Sequence, residues 1–308
     1  MSQTLEQFIR FETDIVGLER TLRMVHALLQ VMIFYPVITG LILFTASMGS
    51  RSAWAAPSPQ MGAILLALRG NVAMARRWFR LFRFVESFNG AYKLYASLSA
   101  PAIPAASSEK GGKAATPAAK AMAGGGAEVW LDILSRSFNG MYLLLETVTL
   151  PDALGIDGLR PWGALAGPLF VESQRFWFLA LACSALSGAV KLTKVFAHAP
   201  VPETGEGYGL GEKEGEEERP EWERERERLR RAVAARKAQR VAWRREVKTR
   251  SRGIVRKLAA DFLDMAIPGA VVGWVRVDAG TVGVVMLVTT YLTGKEVWER
   301  CGREVGKA

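Results

Sequence analysis

Between Leu68 and Tyr92 lies the pattern with the most specific chemistry in this sequence. Arg69, Arg76, Arg80 and Arg83 are spaced 7, 4 and 3 residues apart, which on an α-helix keeps them within about 60° of one another. Arg77 widens that basic flank. Met74, Trp78, Leu81, Phe82, Val85, Phe88 and Tyr92 fall on the opposite side. No Asp or Glu occurs between Glu19 and Glu86, so the stripe is purely basic, whereas an ordinary solvent-facing stripe mixes signs. A helix with one arginine face and one Trp/Phe/Leu face lies in the plane of a bilayer interface, its apolar side among the acyl chains. Each arginine near an anionic surface adds about 1 kcal/mol, and aromatic rings favour the headgroup boundary. A crowd of such wedges expands one leaflet and promotes positive curvature. The expected membrane-binding residues are therefore Arg69, Arg76, Arg77, Arg80, Arg83, Met74, Trp78, Leu81, Phe82, Val85 and Phe88. The alternative is a helix that packs its aromatic face on a protein core and leaves its arginines in water.

Catalytic chemistry has little to work with. His26 and His198 are the only histidines, and neither stands near a cysteine or at ligand spacing from a useful carboxylate. Cys183 and Cys301 each lie in or beside an apolar run; one pair is no disulfide framework, and a reduced, cytosol-facing context follows. Asp261 and Asp264, three apart, share a helix face and read as an interfacial turn ahead of an apolar segment. No phosphate-binding glycine loop, nucleophile elbow or zinc motif is present. An enzyme is not expected, nor is a cofactor or a metal.

The elements that must carry the arginine stripe come from the rest of the pattern. Half of the 308 residues are apolar, yet the formal charge is +10. High hydropathy with strong basicity points to an anionic partner, and hydropathy favours a phospholipid membrane over nucleic acid. The start of the chain lacks a basic stretch followed by an apolar one, so no cleaved secretory signal is expected. Apolar residues recur at helical spacing over residues 4–30. Met24 to Ser50 has no Lys, Arg, Asp or Glu and has the length of a span, but Pro36 and Gly40 interrupt it; a span and a buried helix followed by a hairpin both fit. A long helix is expected from Gly62 to Ser97, then an Ala/Pro/Gly-rich linker. Helices resume at Glu128–Thr149 and over residues 170–197, where the uncharged run Phe176–Val190 is short for a span. Residues 219–257 carry 16 Lys+Arg against 5 Glu and read as a solvated helix. Phe262–Leu292 reads as two half-length apolar helices or one imperfect span, with Arg276 and Asp278 inside it.

No alternation at period two competes, so the fold class is all-α: a membrane-associated helical bundle with a basic amphipathic interfacial helix and one or more hydrophobic membrane segments. Its parts are 1–98, N-terminal helices including the amphipathic one; 99–126, a flexible linker; 127–199, middle apolar helices; 200–257, a charged insert; and 258–308, a C-terminal membrane segment and tail. Ser87-Phe88-Asn89-Gly90 recurs as Ser137-Phe138-Asn139-Gly140. A helical glycine costs about 1 kcal/mol, which a close helix–helix approach offsets, so the echo is read as two helices packing on each other. Gly269 and Gly273 fit a close-packing motif and hint at self-association.

Arg69-Gly70-Asn71 leading into Ala75-Arg76-Arg77-Trp78-Phe79-Arg80-Leu81-Phe82-Arg83 resembles the amphipathic helix of the peroxin eleven family, peroxisomal membrane proteins that elongate the organelle before fission. Arg256-Lys257-Leu258 with Asp261 to Pro268 resembles the entry to that family's last membrane segment, and the overall character is similar to its divergent fungal or gamma-like members. The long insert 200–257, the linker 99–126 and Asp278 depart from the pattern. The resemblance implies peroxisome elongation and proliferation, a peroxisomal membrane location with both termini cytosolic, homo-oligomers, and contact with dynamin-type fission machinery. Two other readings compete. A channel or pore for small metabolites is prompted by Arg276 and Asp278, since intramembrane charges often line a pathway; a short loop between two half-spans is the plainer reading. Nucleic-acid binding by residues 219–257 is not expected, because Glu–Arg alternation with two tryptophans describes a solvated helix.

Overall fold

The computed structural model describes residues 3–46, 59–99, 126–156, 158–197 and 221–306. Among these there is no strand, and the chain is all-α. The linker and the acidic run Glu212–Glu218, like His198 and Trp54, lie outside the described residues.

The helices are α1 (Gln3–Thr13), α2 (Ile15–Phe34), α3 (Pro36–Ala46), α4 (Pro59–Phe79), α5 (Arg83–Ser99), α6 (Ala127–Val148), α7 (Leu150–Ala153), α8 (Ala166–Ala197), α9 (Glu221–Asp264), α10 (Ala266–Val272) and α11 (Ala279–Val305). They group into two compact units, one of residues 1–187 and 257–308, the other of residues 188–256.

In the larger unit α2 is the hub, flanked by α11 and α4, while α5 pairs with α6. Asp14 caps α2, its side chain accepting from the Val16 amide at 3.0 Å. Pro36 opens α3, where its fixed φ and missing N–H are tolerated. Among the described residues the uncharged run from Met24 is thus divided between two helices, α2 and α3. Ala27 of α2 is fully buried and packs with Ile267, Val282 and Met286. The two ends of the chain meet: Gln7 Nε2 donates to the Trp298 carbonyl at 2.8 Å, Phe11 sets its ring edge-on to Trp298, and Arg10 pairs with Glu304 at 3.1 Å.

Among the described residues, one stretch is long and apolar enough to cross a membrane: Gly163–Ala197, 35 residues. The uncharged core that looked short for a span is extended at both ends by helix.

Near the C-terminus the apolar region is two helices rather than one. Gly273 ends α10 with φ at 84°, a left-handed conformation natural to glycine. That is the role of this glycine; it is not half of a helix-packing pair. Arg276 and Asp278 lie exposed in the connecting loop. Asp278 caps α11, accepting from the Thr281 amide at 2.8 Å and its hydroxyl at 2.5 Å. The two charges that prompted a pore are loop and cap residues.

In the smaller unit, α9 up to residue 256 is largely exposed, with pairs along its own length, Glu227–Arg231 at 3.2 Å and Glu246–Arg250 at 2.8 Å. The helical reading of Glu221–Arg252 agrees, although the helix runs on to Asp264.

Candidate membrane-binding site

The long helix expected from Gly62 to Ser97 is broken into α4 and α5 by an elbow at Arg80, Leu81 and Phe82. No Gly or Pro marks it. The break has a tertiary cause. At the elbow the backbone tightens, with amide bonds from Arg80 to Arg77, Leu81 to Trp78 and Arg83 to Arg80 at 3.0–3.2 Å. Such tightening strands carbonyls at the end of α4. Arg80 Nε donates back to the Arg76 carbonyl at 3.2 Å, and Thr147 of α6 donates to the Leu81 carbonyl at 2.9 Å.

The elbow turns the arginine side inward. Arg76 donates to Glu19 of α2 at 3.0 Å, and Arg80 donates to Glu146 at 2.8 Å and to the Tyr142 hydroxyl at 2.7 Å. Their side chains are 12% and 14% exposed. Arg77 stands 3.8 Å from Glu146 with its guanidinium over the Phe170 ring. Arg69 and Arg83 are half-buried, and Arg83 reaches Glu86 at 3.9 Å. The stripe lacks acidic neighbours in sequence because its carboxylates come from other helices. It is therefore not a water-facing basic face, and the sequence reading of those arginines as headgroup contacts in the closed bundle is revised for Arg76, Arg77 and Arg80.

Part of the apolar side faces outward. Phe82 is 73% and Trp78 50% exposed, and Phe79, Val85 and Tyr92 are exposed as well. Met74, Leu81 and Phe88 are half-buried. With Arg10, Asp14 and Arg300 from the joined chain ends, the elbow rings border an open groove of about 770 Å³.

Electrostatics follow from burial. Burial pushes the Glu19 carboxyl up, but Arg20, Arg76 and Arg80 outweigh it and hold the group at about 2. Burial works against the Arg80 charge, yet Tyr142, Glu146 and Glu19 hold it protonated more firmly than in a free arginine. Burial also pushes the Tyr142 phenol up to about 12, with Glu146 adding to it against Arg80. Such a set is an arginine–carboxylate lattice rather than a proton-transfer site.

Sequence reasoning missed Glu19, Glu146 and a second buried pair. Arg23 donates to Asp264 at 2.5 Å and to Thr289 at 3.1 Å, so Asp264 is buried rather than interfacial. Asp261 accepts from Ser184 at 2.6 Å. The available signal was Glu19, Arg20 and Arg23 interrupting an otherwise apolar helix. The two copies of Ser-Phe-Asn-Gly pack on each other: Asn139 Nδ2 donates to Ser87 at 2.7 Å, and a Cβ on Gly140 would lie 2.7 Å from the Phe88 ring. Cys183 and Cys301 are free thiols. Among the described residues no group of three His, Cys, Asp or Glu could hold a metal.

These features make an all-α protein with, among the described residues, one candidate membrane-spanning helix. A family model described as Peroxisomal biogenesis factor 11 (PEX11) matches residues 113–298, more than half of the chain, and the chain belongs to that family. Membership carries a role in peroxisome biogenesis and proliferation and an association with the peroxisomal membrane. The match takes in Arg256–Pro268 and starts beyond Arg69–Arg83. No curated protein and no solved structure matches the chain.

Proposed function

We propose that this protein elongates the peroxisomal membrane by seating the aromatic ridge of the α4–α5 elbow in the cytosolic leaflet. The observation that carries this is the outward display of Trp78, Phe79, Phe82 and Val85 at one elbow. Exposed rings of this size are costly in water and gain by insertion at the acyl–headgroup boundary. The wedge is then the ridge itself, flanked by Arg69 and Arg83, while Arg76 and Arg80 hold the elbow to α2 and α6. Inserted from one side, such ridges enlarge one leaflet and favour curvature.

The docking of α1 on α11 keeps the two ends of the chain together, which supports both termini lying on one side of the membrane; the cytosolic side is the one the resemblance implies. Self-association would concentrate ridges on an anionic phospholipid surface, and the elongated membrane would be the substrate of dynamin-type fission machinery.

The test uses the full chain and vesicles containing about one-third anionic phospholipid. Trp78→Glu with Phe82→Glu places charge on two exposed rings, so the fold is retained. Vesicle binding and tubulation are expected to fall at least tenfold relative to wild type. Undiminished tubulation by a folded double variant would sink the reading.

A further inference from the structure

Behind the arginine lattice, α2, α4, α6, α8, α10 and α11 line an open pocket of about 420 Å³, a size found in small-ligand sites. Its lining is divided. Arg23, Arg76, Arg77 and Arg80 form one wall with the His26 ring, against a single lining carboxylate, Glu146. The facing wall is apolar and includes Trp177, Ile267 and Met286.

The basic wall keeps unused donor capacity. Arg76 Nε is buried without a hydrogen-bond partner, and a buried unpaired donor is costly. Arg77 has only the 3.8 Å approach to Glu146 and its stacking over Phe170, leaving most of its five N–H groups for another acceptor. Burial above all, and then Arg76 and Arg69, lower the His26 pKa to about 4 and keep the ring neutral. Guanidinium groups recognise phosphate through paired, charge-assisted hydrogen bonds.

We propose that this pocket binds one phosphate group, held between Arg76 and Arg77, with any apolar part of the ligand lying against Trp177 and Met286. Two sources share that chemistry: the phosphate headgroup of a lipid and a soluble phosphate compound. Its lining includes none of the ridge residues Trp78, Phe79, Phe82 and Val85, so the site is independent of the outward ridge.

The test is native mass spectrometry of the full chain in detergent micelles, titrated with dioctanoyl phosphatidic acid or with inorganic phosphate. Expected is saturable binding of one probe per chain. It should weaken at least tenfold in Arg77→Gln, disappear in Ala73→Leu, which fills the pocket from α4, and stay unchanged in the exposed-loop control Arg276→Gln. Phosphatidic acid binding that inorganic phosphate does not displace assigns a lipid headgroup. Equal binding of inorganic phosphate, lost in the same variants, assigns a soluble phosphate compound. If either variant loses its fold, a photoreactive phosphatidic acid on the wild-type chain decides, and labels on peptides carrying Arg77 or Glu146 support the site. No saturable binding of either probe, binding indifferent to both folded variants, or labelling only elsewhere overturns the proposal. Vesicle tubulation by the elbow would survive that result, so the two readings fail separately.

Discussion

The α4–α5 elbow and α9 are both rich in arginine, and they use it in opposite ways. In α9 the carboxylates lie one turn away on the same helix, as in Glu227–Arg231 and Glu246–Arg250, and all four side chains are exposed. At the elbow only Arg83 has a carboxylate close by in sequence, Glu86, while Arg76 and Arg80 reach Glu19 and Glu146 across 57 and 66 residues, in largely buried pairs. The difference teaches that an arginine's surroundings are set by where its counter-ions sit along the chain. Local counter-ions let a helix stand in water by itself. Distant ones tie helices together, and turn the opposite, apolar face outward.

Removing a counter-ion separates the two regions most sharply. Glu146→Ala leaves Arg80 and Arg77 buried without their carboxylate, and breaking a buried pair costs about 3–5 kcal/mol. Thermal unfolding of the purified protein should show a lower midpoint, with α9 helicity intact before the transition. Arg80→Met combined with Glu146→Leu should recover much of the loss, because burying two apolar side chains avoids desolvating two charges. No recovery would mean that the lattice specifies the elbow rather than merely neutralising it.

Acid should act on the same lattice next. Glu19 is held at about 2 against an ordinary value of 4.5. A folded-state value below the unfolded one gives stability that is present above 4.5 and lost as pH falls from 4.5 through 2. The span corresponds to about 3 kcal/mol. Unfolding midpoints measured between pH 5 and 2 should fall steeply in wild type and less steeply in Glu19→Gln. Equal slopes would show that other carboxylates carry the acid sensitivity.

How much of this was legible depended on sequence separation. Periodicity placed the helices, and the repeated Ser-Phe-Asn-Gly indicated that two of them pack together, since a glycine inside an apolar helix asks for a close neighbour. The apolar and basic sides of residues 69–85 were also legible. Which side faced inward was not, because that depends on Glu19 and Glu146 in other helices. The elbow was hidden for the same reason: nothing in Arg80-Leu81-Phe82 disfavours helix, and the hydroxyl that satisfies the Leu81 carbonyl belongs to Thr147. Asp264 looked like a turn residue until Arg23, 241 residues away, supplied its partner. The exposed stretch of α9 over residues 221–256, where Glu227 and Glu246 pair with arginines one turn away, could be read directly.

The smallest expected effect completes the comparison. Glu227→Gln removes the carboxylate from an exposed one-turn pair with Arg231. Water solvates the freed guanidinium at once, so the loss should be at most about 0.5 kcal/mol and should shrink further in high salt. Helicity of α9 followed by circular dichroism at low and high ionic strength measures it. The decisive quantity is the contrast with Glu146→Ala, the same loss of one carboxylate from one arginine. A several-fold larger effect at the elbow supports burial as the cause of the difference. A comparable effect in α9 would mean that its arginines, too, depend on a partner beyond their own helix.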